Sequence, residues 1–364
     1  MQQIGVSNLV RGTTFFQHAG VSIVYVFMPI LAQNLTTSIF EVGLTIASFF
    51  LAQILSSMYF GRISDVKGKR LIFIRIGFIG CAVMFGMHYV ADNSFYLLLV
   101  RLGAGITSGM MVPAMLAYTY ESGKDKSKVA SIISFHALGW LAGIVAAGIA
   151  NNEKTIFLIS AGLFLAGLAF TARLPSYTIV REHGATKHVI AKNKFLFLSL
   201  LLRHIGATSV WTILPLVLTQ TLGAKLYEVS IVYVANTAAA FILMNMMGTK
   251  IMTKNITKFK IGVGLTTFVF AGMAVMTEWW MAIPSMALVG VTWAFLYIGG
   301  SIHLMENNPK STSTGVFNST IAISNVIGPV IAGTIAFYYN YVSVMYFAVA
   351  ICIVAFVVSL KVKK

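Results

Sequence analysis

The sequence predicts an all-α membrane protein, a bundle of twelve membrane-spanning helices built as two pseudo-symmetric halves of six. Of its 364 residues, 58% are apolar and only 10% are charged, and the mean hydropathy is +0.84. Soluble domains carry about 25% charged residues, so this composition excludes an ordinary soluble enzyme, a disordered chain and a disulfide-rich secreted scaffold. The chain also has room for roughly twelve spans, at about 30 residues for each span with its loop.

Twelve apolar runs, numbered here as spans 1 to 12, are each long enough to cross about 30 Å of hydrocarbon as a helix. They cover residues 4–31, 39–61, 71–91, 94–117, 128–150, 155–174, 195–219, 228–249, 260–277, 280–304, 313–338 and 341–360. Span 1 has no cationic segment before it and no small-residue cleavage site after it, so we expect a retained helix. Cys81 and Cys352 both lie in apolar runs, and we expect neither a disulfide framework nor a metal or cofactor site.

Basic residues predict the orientation. The loops after even-numbered spans, with the C-terminal tail, hold 21 of the 26 Lys and Arg residues, and the other loops hold only Lys154 and Lys225. Arg11, Arg101 and Arg203 lie inside spans. Cytoplasmic loops of membrane proteins are enriched in Lys and Arg. We therefore expect the protein to lie in the plasma membrane with both termini in the cytoplasm. The net charge of +16 then reflects topology, and we expect no nucleic-acid partner.

The two halves resemble each other in sequence. The longest polar stretch, Pro175 to Lys194, is interpreted as a cytoplasmic linker between an N-terminal bundle (1–174) and a C-terminal bundle (195–364). Eight residues of the first half recur in the second half at offsets of 185 to 187. The pairs are His18 and His204, Gly20 and Gly206, Pro29 and Pro215, Glu41 and Glu228, Val42 and Val229, Gly61 and Gly248, Gly143 and Gly328, and Gly148 and Gly333. A duplicated bundle of this kind encloses a substrate path near the midplane, which predicts transport by alternating access.

Two short motifs carry a family resemblance. The stretch from Gly61 to Arg70, in the loop after span 2, resembles the signature loop of the major facilitator superfamily, with Val66 where the family usually has Arg. Arg101 followed by Gly105 in span 4 resembles the second motif of the family. The span 5 glycines resemble its antiporter motif only in part, because the Gly-Pro pair is missing there and Gly328-Pro329 supplies one in span 11.

The resemblance implies a gating role for the signature loop. The candidate gating residues are Gly61, Asp65, Gly68, Lys69 and Arg70. By the resemblance, Asp65 contacts the start of span 11, at Ser311 to Thr314, and locks the outward-facing state. From the residues themselves, we expect close packing at Gly61 and a tight turn at Gly68, with Asp65 facing a helix N-terminus or Lys69. The alternative is that Lys67, Lys69 and Arg70 only set topology.

Ionisable side chains at bilayer depth are costly and are therefore functional candidates. All ten acidic residues lie in loops or near span ends, so we predict a neutral or cationic cavity. The candidate coupling residues are His18, Arg101, His136 and His204, and the candidate substrate-binding residues are Gln17, Gln53, Trp140, Arg203, Trp211, Asn236, Trp293, Tyr297 and Asn325. By the resemblance, spans 1, 4, 7 and 10 line the cavity. The alternatives are a histidine that bonds only a backbone carbonyl, an aromatic ring that only packs, and interfacial positions for His88 and His303.

Three classes of function are left open. The chain lacks a phosphate-binding loop and hydrolase motifs, so we expect neither ATP-driven transport nor an enzyme. The first class is a proton-coupled transporter of a small organic anion, bound by Arg203, with His18 or His204 titrating near pH 6.5. The second is a proton-driven exporter of drug-like amphiphiles, and the third is a non-transporting receptor or scaffold. We expect a monomer whose basic run from Lys250 to Lys260 faces lipid headgroups.

Overall fold

The computed structural model describes residues 2–36, 38–122, 126–176, 186–247, 253–308 and 310–362. These ranges form α-helices, short 3₁₀ and π turns and loops, and they contain no strand. The helices are α1 (Gln2–Tyr25), α2 (Met28–Leu35), α3 (Ile39–Lys67), α4 (Arg70–Met87), α5 (Ser94–Ser122), α6 (Lys126–Ala150), α7 (Glu153–Thr171), α8 (Thr186–Lys192), α9 (Lys194–Leu216), α10 (Leu226–Met247), α11 (Asn255–Ala274), α12 (Ala282–Asn307), α13 (Lys310–Tyr338) and α14 (Tyr341–Leu360). The predicted all-α class is confirmed.

Eleven stretches in the described ranges are long and apolar enough to cross a membrane, and the protein is a multi-pass membrane protein. The remaining predicted span, span 5, corresponds to α6, whose described apolar part is the shorter stretch Phe135–Ala150. Span 1 is broken after Tyr25, and Pro29 lies in the first turn of the next helix, where its missing N–H needs no partner. The repeat-related Pro215 lies inside α9, which continues into a π-helical turn, Val217–Thr221.

The chain divides into two compact units. Unit 1 contains Met1–Thr37 and Ser48–Arg181, and unit 2 contains Ser38–Ala47 and Glu182–Lys364. Much of the predicted linker, residues 177–185, lies outside the described ranges. Its end forms the short helix α8, whose Val189 is buried in the apolar core of unit 2.

Small residues allow the helices of each unit to approach closely. In unit 1, α1 packs against α6 and α7, and in unit 2, α9 packs against α13 and α14. The hydroxyl of Ser22 donates to the carbonyl of Gly139 at 3.5 Å, and the hydroxyl of Thr208 donates to the carbonyl of Ser324 at 2.9 Å. These pairs are related by the sequence offsets of 186 and 185, so the same interhelical hydrogen bond occurs in both units.

Candidate substrate and coupling sites

Unit 1 contains a stacked pair of histidines. His18 of α1 and His136 of α6 have ring centroids 3.6 Å apart and ring planes 5° from parallel. The helices come this close because Gly139 has no side chain; a Cβ there would lie 3.0 Å from the Cβ of His18 and 2.5 Å from a backbone oxygen of α1. The His136 side chain is exposed, and Trp140, one turn further along α6, stacks beside it at 6.4 Å.

Two protonated imidazoles cannot coexist in this arrangement at low cost. At 3.6 Å and an effective dielectric constant of about 20, two unit charges repel by about 5 kcal/mol. The pair therefore has room for one proton at a time. Sequence reasoning selected both residues but matched His18 with His204 through the repeat. The position equivalent to His136 in unit 2 is Ile321, so the repeat does not reproduce the pair.

The buried guanidinium of Arg203 is the centre of a polar cluster in unit 2. Its side chain is 1% exposed, Nε donates to Thr266 Oγ1 at 3.0 Å, and one terminal nitrogen donates to Thr292 Oγ1 at 3.4 Å. The other terminal nitrogen lies 3.4 Å from Nδ1 of His204. Since a guanidinium can only donate, Nδ1 accepts here and the imidazole proton is on Nε2. Threonine hydroxyls of α11 and α12 therefore accept two of the hydrogen bonds from this cation.

Aromatic faces lie beside this cluster. Trp293 and Tyr297 are one turn apart on α12, with ring centroids 5.2 Å apart and planes 39° apart. The His204 ring lies 5.5 Å from Trp293, the guanidinium of Arg203 lies 5.9 Å from the same ring, and the side chain of Asn325 hydrogen-bonds His204. Trp293, Tyr297 and Asn325 are half-buried. The structure thus brings together five of the predicted site residues in unit 2.

The other candidate substrate residues make contacts of their own. In unit 1, Gln53 donates to the hydroxyl of Ser108 at 2.9 Å. Gln17 is buried, and its Oε1 has no hydrogen-bond partner among the described residues. In unit 2, Trp211 packs edge-on against a phenylalanine of α11 at 6.0 Å, and Asn236 of α10 is half-buried.

Arg101 of α5 is the second deep cation. It is 3% exposed, and its guanidinium carbon lies 4.4 Å over the ring of Phe49. Tyr25 and His88 lie within electrostatic range of it. His88 lies at the C-terminal end of α4 and is 1% exposed, with Nδ1 2.9 Å from the carbonyl of Met84. Its interfacial position stays a prediction.

The signature loop is described in part. Gly68 has a φ of +64° and its N–H donates to the carbonyl of Ser64 at 3.0 Å, which confirms the predicted turn. Arg70 is buried at the start of α4 and donates to the hydroxyl of Ser64 at 3.2 Å. Lys69 is exposed.

Two further predictions for this loop concern Gly61 and Asp65. A Cβ on Gly61 would lie 3.6 Å from the Cβ of Pro113, an ordinary contact, so close packing is the wrong reason for a glycine there. The predicted contact between Asp65 and Ser311 to Thr314 involves side chains outside those that the structure describes. It stays a prediction.

Comparison with known proteins agrees with this architecture. The sequence model of the Major Facilitator Superfamily matches residues 12–312 and 196–364. The chain is 24% identical over 368 residues to the multidrug resistance protein MdtG of Proteus mirabilis, covering 93% of the chain and 90% of that protein. It is 29% identical over 126 residues to the quinolone resistance protein NorA of Staphylococcus aureus, a match that covers 33% of the chain and 32% of NorA.

Solved structures share the fold. The nucleoside transporter NupG superimposes with a TM-score of 0.77 at 14% identity, covering 98% of this chain and 100% of that one. The human organic anion transporter MFSD10 gives a TM-score of 0.74 at 12% identity, with 99% and 100% coverage. Together with the match of the family's sequence model over most of the chain, these results show that the protein belongs to the Major Facilitator Superfamily of membrane transporters.

Proposed function

We propose that this protein is a proton-coupled secondary transporter of the plasma membrane that moves a small organic solute with a planar aromatic part by alternating access. The observation that carries the proposal is the stacked pair of His18 and His136. A pair that takes one proton at a time, with one ring exposed, has the properties of a site that loads and releases a transported proton.

The described part of unit 1 contains groups that could carry the coupled proton. Protons must be carried by a group that changes charge near neutral pH, and histidine is the side chain whose ordinary pKa lies there. His18 and His136 meet across α1 and α6, so a small movement of one helix against the other would change the environment of both rings. In unit 2, by contrast, His204 is buried and receives a hydrogen bond from Arg203. We therefore assign the proton to unit 1.

The aromatic side chains of both units and the state of Arg203 support the proposed class of solute. Trp140 in unit 1 and Trp293 and Tyr297 in unit 2 are half-buried aromatic faces that suit stacking of a planar group. Arg203 already has acceptors for three of its donors, so it supplies less attraction for an anion than its position in the sequence suggested. These features favour export of neutral or cationic amphiphiles. The names of MdtG and NorA, which describe drug resistance in those proteins, agree with this class.

A small organic anion is the second candidate solute. The specific observation in its favour is Arg101, a buried guanidinium for which the described residues supply no hydrogen-bond acceptor. A receptor or scaffold is the least favoured class, since it would need neither the histidine pair nor deep polar clusters. We further propose cytoplasmic termini, a monomeric state, and contact of the basic loops with anionic lipid.

Proteoliposomes with an imposed pH gradient test the proposal. Radiolabelled ethidium serves as a planar cation and naphthalenesulfonate as a planar anion, each without a gradient, with a gradient that is acidic inside and with one that is acidic outside. We expect ethidium to accumulate only when the inside is acidic. Accumulation of naphthalenesulfonate instead would support the second candidate, and no dependence on the gradient for either solute would contradict proton coupling.

A tryptophan pair tests the stacking surface. Trp293→Ala should lower ethidium uptake at limiting concentration by about tenfold, the effect of losing roughly 1.4 kcal/mol of stacking, and Trp293→Phe should retain most of it. Trp280→Ala is the matched control, because Trp280 is 56% exposed in the turn before α12, and uptake should not change. Equal effects at both tryptophans would contradict a stacking site on α12.

A further inference from the structure

The buried cation of unit 1, Arg101, is explained neither by the fold nor by the histidine pair. We infer that Arg101 binds a small monovalent anion, either chloride or the carboxylate group of an organic solute. This site is separate from the histidine pair and from the aromatic faces of α12.

The N–H donors of Arg101 lack acceptors among the described residues. The guanidinium carries five N–H donors in a planar fork and does not lose its charge. Its side chain is 3% exposed inside the membrane-spanning part of α5. Among the described residues, Nε is fully buried and has no hydrogen-bond partner, and none of these residues accepts a hydrogen bond from the terminal nitrogens.

Mostly apolar groups surround the guanidinium of Arg101. The ring of Phe49, itself buried, covers one face at 4.4 Å, and this cation–π contact stabilises the face but satisfies no N–H in the plane. On α5, the neighbouring Val100 and Ala104 are buried and apolar. The nearest acid in the sequence, Asp92, is exposed and accepts from Asn93 at 2.7 Å. Tyr25 and His88 lie within electrostatic range of the guanidinium, but no hydrogen bond joins either of them to it. The described surroundings therefore supply no carboxylate as a counter-charge and no hydrogen bond in the plane of the guanidinium.

Arg203 shows what a satisfied arginine looks like in the same protein. It is equally buried, at 1% exposed, yet Thr266, Thr292 and His204 take three of its donors. A buried charge without partners is heavily disfavoured. An anion beside Arg101 would supply the missing charge and acceptors together, and the planar fork matches a carboxylate in two-point geometry. Chloride offers the same charge without that geometry.

Binding of ³⁶Cl⁻ to the purified protein in detergent tests the inference, with Arg101→Gln and Arg173→Gln as a matched pair, because Arg173 is an exposed arginine of the same unit. The parent and Arg173→Gln should bind chloride saturably, and Arg101→Gln should bind it at least about tenfold more weakly, the usual consequence of losing charge-assisted hydrogen bonds. Equal binding by the parent and Arg101→Gln, or equal loss in both variants, would overturn the inference.

Competition with acetate distinguishes the two sources of the anion. Displacement of chloride by acetate at similar or lower concentration would support a solute carboxylate, and failure to displace it would support a halide site; either result upholds the anion site. Should Arg101→Gln not yield folded protein, Arg101→Lys is the second variant, and it should weaken acetate more than chloride because the fork is lost. Unchanged affinity for both anions in Arg101→Lys would then contradict the assignment. The binding readout involves no transport, so its failure leaves the proposed proton coupling intact.

Discussion

Replacing the histidines of unit 1 singly and together should reveal a pair that shares one proton. The ring centroids of His18 and His136 are 3.6 Å apart, and double protonation costs about 5 kcal/mol at an effective dielectric constant of about 20. This suppresses the doubly charged state by a factor of about 5 × 10³. In His18→Asn or His136→Gln, the remaining imidazole should still take one proton. We therefore expect each single variant to bind as many protons as the parent, and the double variant to bind one fewer.

Potentiometric titration of the purified protein in lightly buffered detergent, between about pH 8 and pH 5, measures this count. The other five histidines of the chain contribute the same background to every variant, and His204→Gln is the control from the other unit. Additive loss, in which each single variant binds one proton fewer than the parent and the double variant two fewer, would refute the shared-proton reasoning. Equal counts in the parent and the double variant would remove the pair as the proton carrier.

Two further substitutions test packing and the buried cation. Thr266→Val removes the acceptor of the Arg203 Nε–H and should lower the free energy of unfolding by about 2 kcal/mol, seen as a lower midpoint of thermal unfolding in detergent. Thr334→Val is the control and should have little effect, because the Thr334 hydroxyl bonds only within its own helix. Equal shifts of the midpoint in both variants would contradict the role assigned to Thr266. Gly143→Val should reduce the yield of monodisperse protein, because a Cβ there would lie 2.5 Å from a carbonyl oxygen of α1. Gly162→Ala, where nothing lies within 4 Å, should behave as the parent, and an equal loss of yield in both would contradict the close α1–α6 packing.

The fold could be predicted from the sequence because membrane helices are specified by composition and length. Apolar runs and alternating basic loops need no tertiary information, and the repeat offset predicted the two related halves. The break in span 1 was missed, although Pro29 was noted. The reason is that Pro215, at the matching position, lies within a continuous helix, so proline alone does not decide between a kink and a break.

The individual residues of the candidate sites could be predicted from the sequence, but the contacts between them could not. His18, His136 and Arg203 were selected because polar groups at depth are rare, and that criterion depends only on sequence. Which ring meets which depends on helix rotation. Gly139, three residues after His136, was the available signal that α6 approaches another helix at that level. The partners of Arg203 come from Thr266 and Thr292, hydroxyls that are common in membrane helices and carry no sequence signal of their own.

Proton movement driven by solute in proteoliposomes tests the central claim most directly. A pH-sensitive dye is trapped inside the vesicles, ethidium is added outside, and the internal pH is followed in the parent and in the double variant of His18 and His136. Export of protons in exchange for solute is the predicted result for the parent. The double variant should still exchange labelled for unlabelled solute but move no protons. Solute transport without proton movement in the parent, or unchanged coupling in the double variant, would contradict the account.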